Sequence, residues 1–102
     1  MNNDRLLNIH PGEILQLEFL DPLNITPDRL SKDIGVGQTR ISEILSGKLS
    51  ITADTALRLS RYFGNSAQFW LNLQTQYDIR QALEENTEVY NQIPKFPFND
   101  VA

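Results

Sequence analysis

Apolar positions recur along the chain at helical spacing, in short stretches separated by proline, glycine and capping residues. After Pro11-Gly12-Glu13, residues Ile14, Leu15, Leu17 and Phe19-Leu20 supply the apolar faces of a helix over about 12–20. Pro22 is expected to close it, because the residue before a proline is pushed out of the helical region. Thr26 is an N-cap with Pro27 at the first helical position, where no amide is missed. The helix it opens runs to about Asp33, with Leu30 and Ile34 inward and Gly35 free to take a left-handed end. The next helix spans about 38–45, and its buried face is Ile41, Ile44 and Leu45. Thr52 caps a helix over about 53–63, and Ser66 caps one over about 67–84, whose face is Phe69, Trp70, Leu73 and Tyr77 with Ile79 and Leu83 beside it. The pattern fades from Glu84, and Pro94 and Pro97 predict an irregular tail over 86–102. The expected fold is all-α: five helices over 11–85, between a polar lead-in (1–10) and that tail.

At 102 residues one domain is the default. The chain has no cysteine, which removes disulfides, thiol catalysis and cysteine-ligated zinc. No apolar run approaches membrane-spanning length, and the N-terminus does not read as a signal peptide. The expectation is a cytoplasmic protein with no membrane partner. His10, the sole histidine, lacks companions for a metal site or a nucleophile-activating base and is expected to support the start of the first helix. Neither an enzyme nor a cofactor is expected.

The net charge of −4 argues against nucleic acid, but it hides a gradient. Residues 1–25 hold one base against four acids, residues 26–61 six bases against four acids, and residues 62–102 two bases against five acids. The middle of the chain can face phosphates while its ends face something else.

That middle contains LSKDIGVGQTRISEILSGK, Leu30 to Lys48. A compact helix, a tight glycine turn and a second helix with an apolar inner face make a helix-turn-helix unit, which can place its second helix in the DNA major groove. Leu30, Ile34, Val36, Ile41, Ile44 and Leu45 form its core. Gln38, Thr39, Ser42 and Glu43 are left outward, with Arg40 toward one flank. Gln38 can pair with adenine, Arg40 with guanine or a phosphate, Thr39 with a base edge or a thymine methyl, and Glu43 with cytosine. Glu43 can instead face Arg40 or Lys48. Thr26, Lys32, Gly37 and Lys48 are candidates for phosphate contacts.

Four pieces together carry a family resemblance: HPGE (His10–Glu13), GVGQTRISEI (Gly35–Ile44), ITADTALRLSRYFG (Ile51–Gly64) and SAQFWLNLQ (Ser66–Gln74). The chain resembles the HigA-type antitoxins, the VapI-like branch of the Cro/lambda-repressor-type (XRE) helix-turn-helix proteins. The resemblance implies a homodimeric repressor of its own operon that masks a RelE-like, mRNA-cleaving toxin. It maps base contacts onto Gln38, Thr39, Ser42 and Glu43, with Arg40 possible. The cap of the recognition helix, commonly serine in that family, is Gly37 here and offers no hydroxyl to a phosphate. Trp70 reads as core or as a subunit contact. Leu73, Tyr77, Ile79 and Leu83 share that choice, with the helix beyond Tyr77 preferred for dimerisation. Asp78, Glu84, Glu85 and Glu88 suit a basic toxin, and Asp4, Glu13, Glu18 and Asp21 are rivals for that role. A stand-alone transcription regulator, or a protein-binding module with weak DNA contact, are the alternatives.

Overall fold

The computed structural model describes residues 8–98; Asp4 lies outside them. Among the described residues the fold is all-α. α1 (Pro11–Ile14), a π-helical segment (Leu15–Leu20) and α2 (Asp21–Leu23) run on as one rod. α3 (Pro27–Ile34), α4 (Gln38–Leu45), α5 (Ala53–Phe63) and α6 (Ala67–Asn91) complete five helices. No helix among the described residues is long and apolar enough to cross a membrane.

Two boundaries differ from the sequence expectation. Pro22 does not end the first helix at Leu20 or Asp21; it lies inside a rod that reaches Leu23 and ends at Asn24 in a left-handed conformation. The reason is the wider π turn. A proline ring clashes with the carbonyl four residues back and removes one amide, but here the Asp21 amide already bonds back five residues, to Gln16 O. The Ile25 amide likewise bonds five back, to Leu20 O, at 2.9 Å. The second difference is α6, which runs past 84 to Asn91, so the irregular tail begins at Gln92 rather than at residue 86. The apolar face fades because nothing in the domain lies beside this stretch; the backbone stays helical, with one break at Asn86 (φ −136°, ψ 31°).

Thr26, Thr52 and Ser66 cap their helices, each side-chain oxygen accepting an amide of the first turn. The core joins Leu15 and Leu20 of the rod, Leu30, Ile34 and Val36, Ile41 and Ile44, Ile51, Ala56, Leu59 and Trp70. Trp70 is fully buried. Its ring lies 4.9 Å from Phe19 and 5.1 Å from Phe69, and its Nε1 donates to Asn65 Oδ1 at 3.0 Å. Trp70 is therefore core, not subunit contact. Leu73 and Tyr77 are half-buried, whereas Ile79 and Leu83 are exposed.

Candidate nucleic-acid interface

α3 and α4 are joined by Gly35-Val36-Gly37, and hydrogen bonds from α3 and α5 fix that turn. Gly35 takes a left-handed backbone (φ +71°), where a side chain is strained, and its amide bonds Ser31 O at 3.0 Å. The buried Ser31 hydroxyl donates to Val36 O. From α5, Arg58 Nη1 donates to Ile34 O at 2.8 Å and to Gly35 O at 3.3 Å, while Asp54 holds its Nε at 2.9 Å. Arg58 counts in the sequence as one of six bases. Its position makes it a clamp that satisfies the last carbonyls of α3.

The far end of α4 is fixed by the start of the rod. A Cβ on Gly12 would lie 1.9 Å from Ile44 O, so the two backbones touch there. His10 caps α1, its Nδ1 accepting the Gly12 amide at 2.9 Å. The buried ring lies edge-on to Tyr77, centroids 4.9 Å apart. Burial lowers the His10 pKa below its ordinary 6.5, against smaller upward pulls from Asp78, Glu13 and the Leu49 hydrogen bond. Gln74, also buried, accepts the Ile51 amide at 2.8 Å and ties the loop after α4 to α6.

α4 is thus held at both ends, and its inner face is locked. Leu30, Ile34, Val36, Ile41 and Ile44 are buried, and Leu45 is half-buried. Gln38, Thr39, Arg40 and Ser42 are exposed together at its start, and Glu43 is half-buried a step further on. The Glu43 carboxylate pairs with neither Arg40 nor Lys48: the ion pairs among the described residues are Arg29–Asp33, Lys32–Asp28 and Arg58–Asp54, all one helical turn apart. Among the described residues, Arg40 and Lys48 have no carboxylate partner. Of the phosphate candidates, the Thr26 hydroxyl is engaged as a cap at 3.0 Å from the Arg29 amide, and Lys32 sits 3.4 Å from Asp28. That exposed pair is worth under about 1 kcal/mol, so a phosphate can compete for Lys32. Gly37 caps α4 with no side-chain hydrogen bond.

Sequence reasoning missed Gly12, Ser31, Arg58 and Gln74. The only signal at Gly12 was the HPGE motif, whose reason is the backbone contact with Ile44.

A short helix, a pinned turn and a second helix with one locked and one polar exposed face define a helix-turn-helix protein of the groove-reading class. Residues 16–70 match the Helix-turn-helix family, over half of the chain. Virulence-associated protein I of Dichelobacter nodosus is 49% identical over 86 residues, 84% of this chain and 80% of that protein. The Pseudomonas aeruginosa antitoxin HigA, solved with the higBA promoter, is 40% identical and superposes with a TM-score of 0.83 over 87% of this chain and 98% of its own. An addiction module antidote protein of the HigA family from Coxiella burnetii is 41% identical, with a TM-score of 0.81 over 87% and 98%. The chain belongs to the HigA-type antitoxin family of helix-turn-helix proteins.

Proposed function

We propose that this chain is the antitoxin of a HigBA-type toxin-antitoxin pair, a cytoplasmic homodimer that represses its own operon and neutralises a RelE-like mRNA-cleaving toxin. The observation that carries the DNA half is α4: its exposed start presents Gln38, Thr39, Arg40 and Ser42 while its other face is immobilised in the core. The Pseudomonas relative, solved with promoter DNA, shares this fold. Two copies of α4 enter successive major grooves about 34 Å apart and read a palindrome. Gln38, Thr39, Ser42 and Glu43 read base edges, Arg40 a guanine or a phosphate. Lys48, Lys32, Gly37 and the capped amides at Thr26 meet the backbone. Glu43, which has no cation partner among the described residues, accepts from a cytosine amine.

The toxin half rests on charge. A nuclease that holds RNA carries a basic surface, and α6 offers Asp78, Glu84, Glu85 and Glu88 to it. The test of the DNA reading is a titration of wild type and Gln38→Ala against the chain's own upstream duplex and a scrambled one. Wild type should prefer the upstream duplex by about 10³-fold or more at physiological salt. Gln38→Ala should lose roughly 1–3 kcal/mol of that preference and relax selectivity at one base pair. Equal loss on both duplexes would remove Gln38 from the base-reading set. A protein-binding module is the second reading, favoured by the three self-paired cations of α3 and α5; a salt slope near zero would establish it instead.

A further inference from the structure

The rod is capped by an atom that must be free of a proton. A backbone N–H only donates, so the 2.9 Å contact from the Gly12 amide makes His10 Nδ1 an acceptor and leaves the neutral ring's proton on Nε2. Thr26, Thr52 and Ser66 cap their helices with hydroxyls, which do not titrate. His10 is the cap whose charge can change near neutral pH. Its ring is only 8% exposed. Tyr77 of α6 encloses it edge-on, and Gly47, in the loop after α4, is so near that a Cβ there would lie 3.7 Å from the ring's Cγ.

A proton on Nδ1 sets donor against donor at the Gly12 amide. The imidazolium has no acceptor atom, so no rotation of the ring restores the cap. What then loosens is the start of the rod, and its neighbour is the DNA-reading helix: the Gly12 backbone lies against Ile44 O and Leu45 Cα. The same corner is tied to α6, where buried Gln74 accepts the Ile51 amide at 2.8 Å and donates to Asp78 Oδ1 at 3.0 Å. The titratable groups facing the ring are Glu13 in the rod's first turn and Tyr77 and Asp78 of α6, while the loop after α4 meets it with uncharged Gly47. Burial favours the neutral ring, and the two carboxylates favour the charged one.

We propose that His10 is a proton switch for α4: the neutral ring holds the start of the rod against the DNA-reading helix, the imidazolium lets it go, and acid thereby releases the operator. This inference rests on the DNA reading and adds a regulator to it. Linkage fixes the sign. The form that reads the operator has an unprotonated ring, so the bound chain resists the proton more than the free chain does. Operator affinity is therefore full above the free chain's titration midpoint and falls beneath it, by up to about tenfold per pH unit, the limit for one proton. Binding to a scrambled duplex behaves differently. It is chiefly phosphate neutralisation, which needs no exact placement of α4 and is not weakened by an added positive charge.

The test uses the full chain, whose sole histidine makes the proton directly visible. The ring is titrated by NMR, free and saturated with the upstream duplex, from about pH 8 down to the onset of unfolding. Emission of the buried Trp70 marks that onset. The midpoint should lie about one pH unit lower with the duplex, the equivalent of a tenfold coupling. Anisotropy titrations on folded protein should show operator affinity falling on the order of tenfold with acid while affinity for the scrambled duplex does not fall. His10→Asn, whose amide oxygen caps without titrating, should hold its operator affinity over the same range and reports the share of every other group. The NMR arm needs no variant, so it decides the matter even where the Asn chain does not fold. Equal midpoints with and without the duplex, or a ring that takes no proton before Trp70 reports unfolding, would overturn the switch and leave the DNA reading standing. A wild type with no preference for the upstream duplex at the alkaline end of the range would overturn both.

Discussion

Gly12→Ala inverts a simple expectation. Alanine is the best helix former, and replacing a helical glycine by alanine stabilises an exposed helix by up to about 1 kcal/mol. In this fold the new Cβ would lie 1.9 Å from Ile44 O, 2.8 Å from its carbonyl carbon and 3.0 Å from Leu45 Cα. Ordinary contact begins near 3.4 Å, so the first helix and α4 must part by about 1.5 Å. All three atoms are backbone, and no side chain can turn aside. Overpacking of this kind costs about 1–3 kcal/mol, with backbone obstacles at the upper end. Net of the propensity gain, the variant should be less stable by about 2 kcal/mol. At roughly 4–8 °C per kcal/mol for a domain this small, its melting temperature should fall on the order of 10 °C. The displaced element is α4 itself, so operator affinity measured well below the melting temperature, on fully folded protein, should fall as well. Circular-dichroism melting and a fluorescence-anisotropy titration on one preparation read both. A variant that melts at or above wild type and binds DNA unchanged would refute the contact.

Lowering the pH from 7.5 to 5.5 should destabilise the fold. Burial holds the folded His10 pKa below 6.5, so the unfolded chain binds more protons through that interval: stability is full above the unfolded pKa and is lost as the pH falls beneath it. His10→Asn keeps a capping oxygen and should flatten this part of a melting-temperature profile. Arg58→Met removes the donor to Ile34 O and Gly35 O and should cost about 1 kcal/mol in urea unfolding, with a further drop in operator affinity because the turn is no longer pinned. Lys48→Ala should weaken binding to specific and random duplexes alike and reduce the slope of log K against log salt by about one, the share of a single phosphate.

The parts of this fold legible in the sequence are those decided locally. Thr26 with Pro27, Thr52 and Ser66 announce their helices because a cap needs only its own first turn. The inner face of α3 and α4 is legible because one stripe of Leu30, Ile34, Ile41 and Ile44 has one place to go. The failures are where distant segments decide. Pro22 carries the general rule for proline, and only the π turn ahead of it lifts that rule. Gly12 reads as an ordinary helix-start glycine until Ile44 is set against it. Arg58 reads as a free base until α5 lies across the turn. The extent of α6 was hidden for the opposite reason. Beyond Leu83 no core is present to impose a periodicity, so a reading based on apolar spacing stops where the domain stops, though the helix does not.

The proposed DNA reading must also accommodate a net charge of −4. The basic middle of the chain is less basic than its composition suggests, because Arg29, Lys32 and Arg58 each hold a carboxylate one turn away on the same helix. Among the described residues, Arg40 at the start of α4 and Lys48 just past its end are the cations of the helix-turn-helix unit without a carboxylate partner, and the acids at both termini of the chain add long-range repulsion. Nonspecific affinity is chiefly phosphate neutralisation, so it should be weak here. A protein so built finds its operator through base contacts at the start of α4 and through the pairing of two half-sites, and not through its field. That places unusual weight on the rigidity of α4, because direct readout depends on holding Gln38 and its neighbours in register with the base edges. Arg58 and Ser31 at one end of that helix, and Gly12 and His10 at the other, supply it. The same His10 ring abuts Tyr77 of α6, so the long terminal helix and the helix assigned to DNA share one buried support.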